Sequence, residues 1–142
     1  MSVKSLLVLA CFLCILGPGS YASADEQRAS VGWSEAATPD VVHILTQNED
    51  GSTRETKIWI VLLNGQAYIR TANTRWYRNI ERNPDVTLRS EAVEYPATAQ
   101  LITDESPLDQ IEAAFREKYG FKNRLSGLAR LGRSNIMRLV DR

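Results

Sequence analysis

Asn64-Gly65 stands between two runs of strand-forming residues, Ile58 to Leu63 and Gln66 to Thr71. Asn and Gly both accept positive φ, so the pair closes a two-residue hairpin and sets Leu63 opposite Gln66. Directly paired residues share a face, so the register assigns every side chain of both strands. One face takes Ile58, Ile60, Leu62, Ala67, Ile69 and Thr71, which is an interior lining. The other takes Trp59, Val61, Leu63, Gln66, Tyr68 and Arg70, with Trp59 opposite Arg70. This second face is too apolar to be left in water. Its cover is the C-terminal helices, a flat ligand, or a second copy of the chain in a homodimer through the Trp59/Tyr68 face.

The flanking segments extend the same pattern. Asp40 to Gln47 is rich in β-branched residues and reads as a strand, followed by a turn at Asn48-Glu49-Asp50-Gly51 and a strand-like run from Thr53 to Leu63. Thr74 to Asn83 is a short helix stopped by Pro84. Val86 to Ser90 and Tyr95 to Thr103 are two more strands, with Pro96 marking an edge or a strand start. Ser106-Pro107 opens a helix carrying Leu108, Ile111, Phe115 and Tyr119 on one face, and Gly120 closes it. Leu125, Leu128 and Leu131 suggest a second short helix, and Ser134 to Val140 a closing strand. The order predicts one α+β domain on an antiparallel sheet or small barrel over residues 40–142, preceded by a lead-in arm over 25–39.

The first 24 residues read as a signal peptide. Lys4 precedes eleven apolar residues, Leu6 to Leu16; Gly17-Pro18-Gly19 breaks them and Ala22-Ser23-Ala24 follows. Crossing a bilayer takes about 20 apolar residues, so no membrane span is expected here. Cleavage after Ala24 exports the remainder. Both cysteines, Cys11 and Cys14, leave with the leader, so the exported chain has no disulfide, thiolate nucleophile or cysteine metal site. Charge is balanced at 17 basic and 17 acidic residues, and losing Lys4 tips it slightly acidic. Bulk charge therefore excludes a histone-like nucleic-acid binder.

The most informative stretch is Arg70-Thr71-Ala72-Asn73-Thr74-Arg75-Trp76. Thr74 can cap a helix beginning at Arg75, and a helix N-terminus presents free N–H groups that suit a phosphate. Arg70 and Arg75 would flank that point with planar donors. Arg78 and Arg82 share a helical face with Arg75 and read as a solvated stripe.

Trp76-Tyr77-Arg78-Asn79-Ile80-Glu81-Arg82-Asn83-Pro84-Asp85-Val86 resembles the WYxNLxxNPxV signature of deazaflavin-dependent nitroreductase-like proteins. Thr74-Arg75-Trp76 through Asn83-Pro84 is also similar to the Ser-Arg-Lys…Asn-Pro stretch of pyridoxamine 5′-phosphate oxidases. Both are flavin-binding split-barrel proteins. The resemblance covers roughly Val41 to Thr103 and the final strand. It implies an antiparallel split β-barrel with short helices, and an oxidoreductase-like protein using FMN or a deazaflavin. It implies that Thr71, Thr74 and Arg75 hold the cofactor phosphate; Arg70 joins the expected site from its place beside the capped helix start, and Trp76 joins it as a departure, standing where the oxidases place Lys. It further implies a cofactor site shared between two subunits.

Other chemistries lack their residues. His43 is the sole histidine, so no Ser-His-Asp, Cys-His or histidine-rich zinc site can be assembled, and no metal is expected. A flavin enzyme is less affected, because the cofactor carries the redox chemistry while the protein binds and orients it. The competing expectation is an exported binding or structural module that keeps the barrel without a working cofactor site.

Overall fold

The computed structural model describes residues 32–125 and 134–142. The cleavage site after Ala24 and the expected helix through Leu128 and Leu131 lie outside the described residues. Within them, a helical turn over 32–36 precedes β1 (Val42–Gln47), β2 (Thr53–Ile58), β3 (Ile60–Leu63), β4 (Gln66–Thr71), α1 (Arg75–Arg82), β5 (Asp85–Ser90), β6 (Val93–Leu101), α2 (Glu105–Leu125) and β7 (Asn135–Asp141). The strands form one antiparallel sheet in the order β2-β1-β5-β6-β7-β4-β3.

The hairpin has the expected register, with Leu63 opposite Gln66 and Ile60 opposite Ile69. Asn64 and Gly65 take φ of 51° and 75°, as a tight turn of this kind requires. Thr53 to Leu63, read as one run, is two strands. β2 pairs with β1 and β3 pairs with β4, at opposite edges of the sheet. Only Trp59 separates them, so the sheet curls until its two edges meet at that residue. This is how an open antiparallel sheet becomes a barrel.

The barrel interior collects Ile44, Ile58, Ile60, Ala67, Ile69, Leu88, Met137 and Leu139. Leu62 departs from the expected lining: it is 36% exposed. Leu62 follows the bend by three residues on an edge strand, where the sheet no longer curls over it. The segment expected to be a lead-in arm also contributes to the core. Trp33, Ala36 and Ala37 are buried in the barrel, and the Trp33 ring lies 6.1 Å from that of Tyr95. Pro96 sits in an interior strand rather than an edge strand, opposite Thr87 of β5. Pairing of β6 with β7 begins only at Ala97, so at Pro96 that flank needs no N–H donor.

The outer face of the hairpin is covered by α2 of the same chain. Ile111, Phe115 and Tyr119 form a second core with Val61 and Ile136, against which Trp59, Leu63 and Tyr68 pack. Trp59 stacks on Tyr119, with centroids 4.4 Å apart and planes 7° from parallel. Of the covers open to the Trp59/Tyr68 face, the helix is therefore one, and Trp59, Leu63 and Tyr68 remain partly exposed beneath it. Gly120, at φ 44° and ψ −119°, breaks the helical path just after Tyr119.

Lys118 and Tyr119 fasten α2 to the barrel seam. The Tyr119 hydroxyl accepts from the Ile60 N–H at 2.9 Å and donates to the Ile60 carbonyl at 2.8 Å. Lys118 Nζ donates to the carbonyls of Ala37 at 2.5 Å, Pro39 at 3.0 Å and Ile60 at 3.0 Å. Burial pushes the Tyr119 hydroxyl up to about 12 and holds the Lys118 ammonium below the usual lysine value.

Tyr119→Phe orphans the Ile60 N–H, which should cost about 1–3 kcal/mol in denaturant unfolding near neutral pH. Because the folded-state pKa is raised, the tyrosine's contribution is complete below its unfolded value near 10 and fades as pH rises towards about 12. Unfolding series of both proteins from about pH 8 to 11 should therefore show the gap between them narrowing above about pH 10. A gap that widens there would contradict the buried-hydroxyl assignment.

Candidate functional site

Thr74 caps α1 as expected: its side chain accepts from the Tyr77 N–H at 3.4 Å, and α1 runs from Arg75 to Arg82 before Pro84 stops it. Its hydroxyl also lies 3.0 Å from that of Thr71 at the end of β4. These two hydroxyls and the α1 N-terminus border a solvent-open cavity of about 320 Å³. Its other walls are Lys57, Ile58, Trp59, Arg70, Ala72 and Trp76. The volume falls within the roughly 300–1,000 Å³ usual for small-molecule sites. Two indoles, two hydroxyls and a lysine give it apolar walls with a few polar anchors.

Four of the five expected site residues, Arg70, Thr71, Thr74 and Trp76, thus border one cavity, and Arg75 does not. Helical geometry explains the separation. Successive helix residues are turned by about 100°, so Trp76 faces the barrel while Arg75 faces elsewhere. Arg75 instead lines a groove with Arg78, Arg82 and the β1–β2 turn.

Arg70 also differs from expectation. Its Nη1 donates to Glu112 Oε2 at 2.6 Å, and the guanidinium lies over the Phe115 ring at 4.5 Å. Strand alternation is the cause: Ile69 points into the barrel, so Arg70 points out towards α2. The two arginine forks expected to converge on one phosphate are therefore apart: Arg70 is paired with Glu112, and Arg75 lines the other groove. Lys57, which the sequence reading did not single out, supplies a cation at the cavity.

Glu112 went unnoticed as well, although a signal was present. It sits four residues after Leu108 and three before Phe115, on the apolar face of a helix. Asn79 was missed for a similar reason. It is buried, and its Nδ2 donates to Thr46 Oγ1 at 3.1 Å and Asn48 Oδ1 at 2.9 Å, while its Oδ1 accepts from Arg82 at 3.0 Å. The Asn of the Trp-Tyr-x-Asn pattern thereby docks α1 onto β1. Arg82, read as part of a solvated stripe, is exposed but also donates to the Gln47 carbonyl at 3.2 Å. His43 lies on the charged outer face of β1, bonded through Nδ1 to Glu55, and Glu55 continues to Arg89 and Glu94.

A curled seven-stranded antiparallel sheet with a capped helix after its fourth strand defines a split-barrel protein. Solved structures agree. A conserved hypothetical protein, Rv2991 from Mycobacterium tuberculosis, superposes with a TM-score of 0.62 at 15% identity, covering 86% of this chain and 82% of that one. A heme binding protein from Mycobacterium smegmatis gives 0.61 at 14% identity, covering 80% of this chain and 51% of that one; the present chain spans about half of it. An F420-H2 dependent reductase, FDR-A, gives 0.55 at 17% identity, covering 71% and 94%. Within this fold the chain belongs to the bacterial family DUF2255, described as an uncharacterized protein conserved in bacteria, whose model matches residues 34–137. No curated protein matches the sequence.

Glu112→Ala removes the carboxylate that receives Arg70 and leaves the cation against Phe115. Chemical unfolding should show a loss of about 1–3 kcal/mol, whereas substituting the exposed Glu117 on the same helix should be near neutral. Equal effects would mean that the pair does not anchor α2.

Proposed function

We propose that this protein is an exported, oxidoreductase-like split-barrel protein that binds FMN or a deazaflavin in the cavity between the β2 and β4 ends and α1. One observation carries the reading: the Thr71 and Thr74 hydroxyls lie together at the capped start of a helix, beside a cavity walled by Trp59 and Trp76. The donor set fits a phosphate, and the indoles fit a flat ring. Thr71, Thr74, Lys57 and the first N–H groups of α1 are the residues that would hold the phosphate. The cofactor, when bound, supplies hydride transfer; the protein's part is to bind it, orient it and exclude water.

The reductase and the heme binding protein among the structural relatives lend the fold two cofactor classes. The residues favour the flavin class. The chain has one histidine, His43; it is bonded to Glu55 and is not among the residues lining the indole-walled cavity. A homodimer belongs to the same reading, because the cavity is open to solvent and a second subunit would close it. The second reading, an exported module without redox function, draws on the engagement of Arg70 with Glu112 and on Trp76 in place of a lysine.

Titration of FMN and a deazaflavin, followed by tryptophan fluorescence, tests the cofactor. Thr71→Val/Thr74→Val should weaken binding by about 10-fold or more, since hydrogen bonds to a charged phosphate are worth about 1.5–3 kcal/mol. Failure of the native protein to bind either compound would leave the non-redox module. Export is tested separately: the N-terminal sequence of the secreted protein should start at Asp25, and a retained Met1 would refute it.

A further inference from the structure

Arg75, Arg78 and Arg82 occur at i, i+3 and i+7 on α1 and line a groove of about 520 Å³ facing the β1–β2 turn. This groove shares no lining residue with the indole-walled cavity. Three features set it apart from a solvated stripe.

First, it is built. Arg82 is fixed by the Gln47 carbonyl and by Asn79, which is itself buried and bonded to Thr46 and Asn48. Arg78 is steadied by Asn73 Oδ1 at 3.5 Å.

Second, cations outnumber carboxylates in its lining, three arginines against Glu49 and Asp50. Among the described residues, none of the three guanidinium groups forms an ion pair, whereas Arg70, Arg89 and Arg142 each meet a carboxylate. Asp50, on the opposite wall, turns back to the Ser52 N–H at 2.9 Å and hydroxyl at 2.5 Å. Those bonds hold its carboxyl below the usual range.

Third, the arrangement works against the helix. α1 has eight residues, its first turn contains no acidic residue, and Arg75 places a cation at the positive end of the dipole. Like charges three and four residues apart add repulsion. A bound anion offsets each of these terms.

We propose that this groove is a second ligand site, for a small hydroxyl-bearing molecule with two phosphate groups, of the nucleoside diphosphate class. The three arginines span about 10 Å along the helix, which exceeds one phosphate and suits two. Planar guanidinium forks match phosphate oxygens. Glu49, on the facing wall, can accept hydrogen bonds from a ligand's hydroxyls and disfavours an anion that has none.

Calorimetric titration of the exported chain with adenosine diphosphate and with inorganic pyrophosphate tests the site. Both should bind, and Arg78→Ala should weaken both by about 10-fold or more. Glu49→Gln should weaken adenosine diphosphate while strengthening pyrophosphate, because it removes a hydroxyl acceptor and a repelling charge together. Arg75→Glu should raise the ligand-free Tm and abolish binding of both, an opposition of sign that a structural arginine would not give. FMN affinity should stay unchanged in Arg78→Ala, so this site and the cofactor cavity stand or fall separately. Absence of binding by the native protein, or undiminished binding by Arg78→Ala, would overturn the proposal.

Discussion

The backbone of Ile60 is the point on which the molecule closes. Its N–H and carbonyl face the open edge of β3, where no further strand is paired among the described residues. A bare edge of this kind invites pairing with another chain. Here α2 blunts it: Tyr119 bonds both groups through one hydroxyl, and Lys118 adds a second donor to the carbonyl. The remaining donors of Lys118 go to Ala37 and Pro39, just before β1. One helical step therefore joins the strand seam, the entry to the barrel and the outer core. The lysine gains enough from three carbonyls to be kept where burial disfavours its charge.

That clasp determines what the β3–β4 hairpin can do on its outer side. Alternation sends Ile60, Ala67 and Ile69 to the barrel and Val61 and Tyr68 to the helix, so one pair of strands serves two cores. Arg70 lies on the same outer side and would be a poor neighbour for Phe115 and Ile111 without Glu112. With that carboxylate it packs as part of the second core. The geometry that seals the hairpin is thus what pairs Arg70 with Glu112, although the residue still borders the cavity. Thr71, one residue on, alternates back and can meet Thr74.

These alternations were legible in the sequence because Asn64-Gly65 fixes a register, and register is local. The cap at Thr74, the stop at Pro84 and the apolar face of α2 were legible for the same reason. Three things were not. The bend at Trp59 leaves no mark in a run of strand formers, since its cause is closure of the whole sheet. The engagement of Arg70 needed Glu112, 42 residues away. The direction of Arg75 depended on how α1 rolls onto the barrel, and that is set by Trp76, Ile80 and the buried amide of Asn79. Part of the Trp-Tyr-x-Asn pattern that resembles flavin proteins is therefore an instruction for docking a helix. Its presence supports the fold more firmly than it supports a cofactor.

The same roll gives one short helix two chemically different sides. Its capped end, with Thr71 and Trp76, faces the cavity of indoles; its arginine side faces the β1–β2 turn. Both directions follow from burying Trp76, Tyr77 and Ile80, because an eight-residue helix with that much apolar surface has only one way to lie on the barrel. Asn79 then ties the arginine side down by bonding Thr46, Asn48 and Arg82 together. Those bonds stabilise the fold whatever occupies the groove, which is why Arg82 alone says little about a ligand. Arg75 and Arg78 are the informative pair. Neither bonds to the barrel, neither meets a carboxylate among the described residues, and Arg75 sits where an acidic residue would stabilise the helix. Helix stability does not account for their placement; the proposed anion in the groove would.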